Sequence, residues 1–376
     1  MKQVIKYAAL IFALVLSASI IGGCLMAGVA IIQNIRDEVE YPEDMKNGNN
    51  DLWYRTEEGD VMFLGIHFAG DRKVKSGSEQ FAASEIDSMD IEVGSCELII
   101  ETFDGDTVLV EYEYIPEHYE IFVDEKTLIV EKDDIVVFWG NSFTETPKIR
   151  ISVPNDKEFK KVDVDKGSGS AKVLGLLTYD FNMDNGSGGV GIADVTAKNL
   201  SVDSGSGGIN LSDTTAEKSV FHSGSGSFIV QNCVLGETSM DAGSGFVNFE
   251  HVVAKNLVLD TGSGRVDVSG ILTGNSVFDS GSGSVNVVVY GEEQEYNIRT
   301  DMGSGSFYLN GKKENDNHIE HSGADNLLIF SAGSGRVSVE FKSVPANMPE
   351  EAVPFVPDNG AETTENTATS GESYER

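Results

Sequence analysis

Apolar and polar residues alternate along most of the chain in short runs, the rhythm of β-strands with one buried face. From Gly167 onward this rhythm sits inside a longer period. The tripeptide Gly-Ser-Gly begins at Gly167, Gly186, Gly205, Gly224, Gly243, Gly262 and Gly281, at steps of 19 residues, then at Gly303 and Gly333 after steps of 22 and 30. Four and six residues after the first glycine stand apolar pairs such as Val190/Ile192, Ile209/Leu211, Phe228/Val230 and Val337/Val339. A further column, apolar except for Thr214, comes nine residues after it, at Leu176, Val195, Thr214, Cys233, Val252 and Ile271, and a second alternating pair follows in Phe181/Met183, Leu200/Val202 and Leu257/Leu259.

Each rung therefore predicts two short strands and two corners, one at Gly-Ser-Gly and a looser one at Ala197-Lys198-Asn199 or Ala254-Lys255-Asn256. Nineteen residues cannot fold alone, but stacked copies bury a continuous apolar column. The predicted fold is all-β, a single-chain parallel β-solenoid of 19-residue rungs with Gly-Ser-Gly corners, preceded by one N-terminal transmembrane helix. At about 4.8 Å per rung, nine rungs make a rod about 40 Å long. Gly94-Ser95 reads as an outlying member of the series.

The N-terminus has a different pattern. Lys2 and Lys6 precede a largely apolar run from Tyr7 to Ile32, long enough to span a bilayer. Lysines before it favour a cytoplasmic N-terminus, which puts the rest of the chain outside the cell. Two readings stand: an uncleaved single-pass anchor, and a lipoprotein in which Ile21-Gly22-Gly23-Cys24 is the cleavage box and Cys24 is lipidated. The chain then divides into a cytoplasmic N-terminus (1–6), an anchor (7–32), a stalk and lead-in (33–85), the solenoid (86–342) and a disordered acidic tail (343–376). The tail carries seven acids against one base.

Charge narrows the partners. The formal net charge of −34 excludes nucleic acid, whose binding rests on Lys and Arg at phosphates. Cys96 and Cys233 share no motif spacing and read as small buried apolar side chains.

The candidate chemistry lies at the corner. Two residues before the glycine stand Asp165, Asp184, Asp203, His222, Asp241, Asp260, Asp279, Asp301 and Ser331. On one reading this is turn chemistry: glycines supply positive φ, and the Asp side chain accepts hydrogen bonds from free backbone N–H groups. On the other, the stacked carboxylates of Asp184, Asp203, Asp241, Asp260 and Asp279 repel each other and are relieved by a cation such as Ca²⁺. The step after Gly303 holds a polar insertion near Gly311–His318, read as a surface loop, with His318 and His321 close to Asp316 and Glu320.

Upstream of the regular rungs, Met89–Val93, Glu97–Glu101, Val108–Val110 and Leu128–Val130 alternate like strands, and Ile149-Arg150-Ile151-Ser152-Val153-Pro154 leads into the first Gly-Ser-Gly. This order resembles the bacterial "putative adhesin" family catalogued as domain of unknown function 4097, over about residues 86 to 342. The resemblance implies a β-solenoid at the cell envelope and carries no catalytic residues.

No nucleophile motif, phosphate loop or zinc spacing occurs, so no catalytic residue is assigned and no cofactor beyond Ca²⁺ is considered. The leading expectation is a non-catalytic envelope protein, displaying a rigid rod to an envelope protein or a glycan. The alternatives are an accessory regulator of an envelope-stress system and a glycan-active β-helix enzyme.

Overall fold

The computed structural model describes residues 74–132, 146–315 and 317–350 in full, together with the backbone of three short strands before them. The expected anchor at 7–32 and tail residues 351–376 lie outside the described residues. No helix among the described residues is long and apolar enough to cross a membrane. The chain forms two units, residues 1–72 with 135–141, and residues 73–134 with 142–376. In the first, Trp53–Arg55, Val61–Phe63 and Ile66–Phe68 form an antiparallel meander.

The second unit is the solenoid. Its middle rungs stack in sequence order with a register of 19. Leu177–Asn185 pairs in parallel with Thr196–Ser204, which pairs with Thr215–Ser223, which pairs with Val234–Ala242. On the other side of the Gly-Ser-Gly corner, Ala171–Leu174, Val190–Ala193, Ile209–Ser212 and Ser227–Gln231 make a second parallel ladder. The apolar columns read from the sequence fill the interior: Val173, Ile192, Leu211, Val230, Phe249, Val268 and Val287 are all buried. Cys96 and Cys233 are buried free thiols, as expected.

The middle rungs keep the expected two strands, such as Val190–Ala193 and Thr196–Ser204, but the longer one is bent. The rung's inward positions fall on three arms, for example Ile192, then Val195 and Ala197, then Leu200 and Val202. A left-handed residue divides the first two arms, at Gly175, Asp194, Asp213, Asn232 and His251, with φ between 50° and 76°. Gly, Asn, Asp and His are the residues that tolerate this region best. The second division is a bend at Tyr179-Asp180, Lys198-Asn199 and Glu217-Lys218, where two successive side chains are left outside. The sequence reading caught this bend and missed the left-handed corner.

The Gly-Ser-Gly glycines also serve a different purpose from the one expected. None has positive φ. Instead, each corner lies directly on the one below. A Cβ on Gly188 would stand 1.6 Å from the Gly169 carbonyl oxygen, and one on Gly226 would stand 1.8 Å from that of Gly207. Close backbone approach, not dihedral freedom, excludes every side chain here.

Both ends of the rod break sequence order. After the Gly281 rung the next in space is the Gly333 rung. Asn326–Ala332 pairs with Asn275–Ser280, and Arg336–Lys342 pairs with Ser284–Tyr290. The Gly303 rung lies outside it, with Tyr296–Met302 on Asn326–Ala332 and Ser306–Leu309 on Arg336–Lys342. The steps of 22 and 30 are thus the lengths needed to overshoot one rung and return.

The N-terminal end mirrors this arrangement. Ser88–Val93 and Glu97–Phe103, joined by the Gly94-Ser95 corner, lie between the Gly167 rung on one side and Thr127–Lys132 with Lys148–Pro154 on the other. Gly94-Ser95 is therefore a full member of the series, and Ser95 Oγ lies 2.9 Å from Ser168 Oγ.

Antiparallel strands close both ends. Val74–Ala82 and Thr107–Pro116 lie beyond Lys148–Pro154, and Tyr119–Asp124 lies beyond Thr127–Lys132. At the C-terminal end Lys312–Glu314 folds back on Ser306–Leu309, and His318–Ile319 pairs with Tyr296–Met302. The polar insertion is therefore an end cap rather than a loop on the rod's flank. An uncapped parallel ladder would present its free N–H and C=O groups to another chain.

Candidate functional site

The expected aspartate column exists as a ladder on the outer surface. Glu92, Asp165, Asp184, Asp203, His222, Asp241, Asp260, Asp279, Ser331 and Asp301 stand in direct register from rung to rung. All five candidate residues, Asp184, Asp203, Asp241, Asp260 and Asp279, are exposed. The exposed serines Ser168, Ser187, Ser206, Ser225, Ser244, Ser263 and Ser282 crest the corner beside them. Ser263 Oγ and Ser282 Oγ lie 3.2 Å apart.

The corner aspartates do not cap the turn. That role falls to the inward residue that follows each of them. Asn185 Nδ2 donates to the Gly188 carbonyl at 2.8 Å, and Ser204 Oγ donates to the Gly207 carbonyl at 3.2 Å. This buried polar column continues through Ser223, Thr261 and Ser280, and at the Gly167 rung it is Lys166. Sequence alternation places these residues inside, but their polarity disguises them. The Ser or Thr directly before Gly205, Gly224, Gly262 and Gly281 was the available signal.

Other carboxylates on the rod accept a hydrogen bond across rungs from an amide one period away. Asn182 Nδ2 donates to Asp163 at 2.6 Å, Asn199 to Asp180 at 2.7 Å, and Asn286 to Asp267 at 2.7 Å. Gln231 donates to Glu250 at 2.9 Å. The corner aspartates instead face one another. Partial burial and repulsion from Asp165 and Asp203 raise the Asp184 carboxyl above its ordinary value of 3.8. Burial and repulsion from Asp279 and Asp241 do the same to Asp260. His222 interrupts the ladder, with Nδ1 3.9 Å from Asp203 Oδ2.

Among the described residues no group of three or more His, Cys, Asp or Glu side chains converges as metal ligands do. His321 belongs instead to the C-terminal cap. Its Nδ1 lies 2.8 Å from the Tyr296 carbonyl and its Nε2 lies 3.7 Å from Glu293. Glu293 in turn accepts from Asn310, whose side-chain oxygen accepts from the Phe341 amide. The cap's turn, hairpin and last strand are thus tied together. Cys96 and Cys233 are inert positions, because burial pushes their thiols up to about 11 and about 12.

The family model described as Toastrack DUF4097 matches residues 86–340 and 221–374. Three solved structures are similar at low identity. A "putative adhesin" from Bacteroides fragilis shares 15% identity over 72% of this chain and 99% of that one, with a TM-score of 0.40. A "putative cell adhesion protein" from Clostridium sporogenes shares 13% over 72% and 100%, with a TM-score of 0.22. A "putative lipid binding protein" from Parabacteroides distasonis shares 16% over 71% and 98%, with a TM-score of 0.41. A search of curated proteins gives no match.

Proposed function

We propose, from the premise that this chain belongs to the Toastrack DUF4097 family, that it is a non-catalytic envelope protein held at the membrane by residues 7–32, whose rod presents its flanks to an envelope protein or a glycan. The observation that carries this reading is the sameness of those flanks. Outward positions repeat the same residue types rung after rung, in ladders of serine, aspartate and amide–carboxylate pairs. A catalytic centre needs a local set of unlike groups, acid against base or nucleophile against oxyanion donor, converging on one reacting atom. A periodic flank suits an extended or repeating partner. Full-length protein in lipid nanodiscs, presented to isolated cell envelopes and to a glycan array, should retain one class of ligand reproducibly. Retention of none, or release of cleaved glycan into the supernatant, would sink the reading.

A second reading is favoured by the neighbour-raised carboxyls of Asp184 and Asp260: Ca²⁺ held along Asp184, Asp203, Asp241, Asp260 and Asp279. Millimolar Ca²⁺ should then raise the unfolding midpoint of the wild type but not of a D203N/D241N/D260N variant. An equal response in both leaves the ladder as surface charge alone.

A further inference from the structure

One flank of the rod departs from the sameness of the others. It is the outer face of the longer strands, beside the aspartate ladder. Two residues before each ladder position stands one outward residue per rung. Toward the N-terminal end this column is polar, with Asp163, Asn182 and Ser201 in register. From the next rung it turns apolar and runs Val220, Ser239, Val258, Val277, Ile329. Val220 and Val258 are each 42% exposed, and Val277 and Ile329 are half-buried. Leu327 widens the stripe on the side away from the ladder, and Arg299 ends it at the cap.

The two edges of the stripe differ in charge. Along one run the exposed carboxylates of Asp241, Asp260 and Asp279, about 6.6 Å along the strand from the apolar column. Partial burial and repulsion from Asp279 and Asp241 already hold the Asp260 carboxyl above its ordinary value. Along the other edge Lys218 and Glu237 face each other at 3.7 Å, and Asn256 and Asn275 follow. That edge is neutral, so the unanswered charge lies on one side only.

This combination selects the occupant. Anionic lipid is repelled by the ladder. A second copy of this chain would bring a ladder of its own, at a net charge of −34 per chain. A partner that is both apolar and basic is attracted on both counts. Spacing then selects its shape. From Val258 to Ile329 is two rungs, or about 9.6 Å. Residues i and i+7 of a helix lie about 10.5 Å apart along its axis, with i+3 or i+4 midway between them. An extended strand repeats its face only every 6.6 Å or so and falls out of step with the rungs. The whole stripe from Val220 to Ile329 is about 19 Å, or between three and four helical turns.

We propose that the flank from Val220 to Ile329 is a docking surface for an amphipathic helix of a partner protein. The helix lies along the rod, with its apolar row on Val258, Val277 and Ile329 and its lysines or arginines over Asp241, Asp260 and Asp279. This rests on the reading above that the rod presents a flank to an envelope partner, and it assigns the flank and the chemistry.

The test uses full-length protein in phosphatidylcholine nanodiscs. The probe is a fluorescent synthetic helix of about 18 residues, with leucines at i, i+4, i+7 and i+11 and lysines along one edge. A scrambled peptide of the same composition is the control, and anisotropy is read against empty discs. Val258→Ser/Val277→Ser makes both positions copies of Ser239, which the column already carries, so the rungs should hold. It should weaken binding about tenfold, and so should Asp260→Asn/Asp279→Asn at low salt. Asp184→Asn/Asp203→Asn removes as much charge from beside the polar half and should change binding by less than about twofold. Equal losses from the two aspartate pairs, or equal binding of the scrambled peptide, would overturn the proposal, because bulk charge then does the work. A dimer in sedimentation that Val258→Ser/Val277→Ser dissolves would overturn it too, by making a second copy the occupant. Isolated cell envelopes separate this inference from the reading beneath it. Retention that the valine variant loses supports both. Retention that the valine variant keeps overturns this docking surface and leaves the envelope reading standing.

Discussion

The middle of the rod and its two ends use the same rung for opposite purposes. In the middle, from the Gly167 corner to the Gly281 corner, sequence order and spatial order coincide, and the rungs copy their neighbours at a register of 19, with local shifts to 18 at Glu237 and from Val252 to Lys255. At the ends the order is swapped. The first rung of the chain is enclosed by a later one, and the last rung is enclosed by an earlier one. Both chain-terminal rungs therefore have hydrogen-bonded neighbours on two sides, and the outer layers are formed by Val74–Ala82 and Tyr119–Asp124 at one end and by the Gly303 rung with its hairpin at the other. A solenoid in simple sequence order would leave its first and last rungs with one neighbour each, free to fray. The swap gives the middle over to repetition and the ends to closure.

The largest test of this difference compares two deletions of similar kind. Removing residues 205–223 takes out one whole period, joins Ser204 to Gly224, and keeps the corner register. It should fold cooperatively, with a modest drop in midpoint and a rod shorter by about 4.8 Å. Ending the chain at Asp325 also removes one rung, Asn326–Lys342. It separates the outer rung from the Gly281 rung and removes Phe330, which lies between Phe278 and Phe307 at 5.0 and 5.9 Å. That variant should lose its cap and expose apolar surface, read as dye binding and aggregation at the wild-type midpoint. If the two deletions cost the same, the end rungs are not special.

The next test probes how the middle repeats. Gly226→Ala puts a methyl group on the Gly207 carbonyl oxygen and should destabilise by about 3 kcal/mol, because the stacked corner has no room to relax. Gly189→Ala, two rungs away on the outward face with nothing within 4 Å, should be close to neutral. Chemical denaturation of both separates close backbone approach from a general intolerance of side chains at glycine.

How much of this was legible in the sequence follows from the same division. Periodicity specifies the parallel ladder, because Ile192 over Leu211 over Val230 is a packing statement that a repeat makes directly. It also placed Asp184, Asp203, Asp241, Asp260 and Asp279 on one outer edge, since their parity is opposite to that of Phe181 and Met183. It gave no warning of the swap at Gly303. Steps of 22 and 30 fit an inserted loop as well as an overshoot and return, and only strand pairing distinguishes them. The left-handed corner was hidden because Gly175, Asp194, Asn232 and His251 share a dihedral rather than a chemistry. The same applies to the glycines: a tripeptide this regular announces a constraint without saying whether it is a dihedral or a distance.

A third test lies at the junction of the two regions. Lys166 belongs to the Gly167 rung, which packs on the enclosed first rung at Cys96, and its Nζ is buried without a partner. Burial holds this amine below its ordinary 10.5, so the folded state disfavours the charged form. The penalty is present at neutral pH and is relieved as pH rises through the lowered value toward 10.5. Lys166→Met should therefore stabilise by about 1–2 kcal/mol at pH 7, with the gain shrinking as pH rises toward 10.5. A loss of stability at pH 7 would mean that the ammonium has an unseen partner, such as water held among the corner carbonyls.

The smallest expected effect is in the ladder itself, and here the sign matters more than the size. Asp184 and Asp260 have folded-state values raised by burial and by their neighbours, so the folded chain holds those protons more tightly than the unfolded one. Their contribution to stability is fully present below the ordinary value of 3.8 and is lost as pH rises through the raised folded values. This is the reverse of a paired carboxylate such as Asp87, which its contact with Lys160 and the nearby charge of Lys126 hold below the ordinary value. Asp260→Asn should raise the midpoint slightly at pH 7 and flatten its decline between pH 4 and 7, since both exposed neighbours lose a repelling charge. Asp163→Asn, which removes the carboxylate that accepts from Asn182, should lower the midpoint at pH 7 instead. If Asp260→Asn lowers stability at neutral pH, the ladder is held by something that needs its charge, and the cation reading gains.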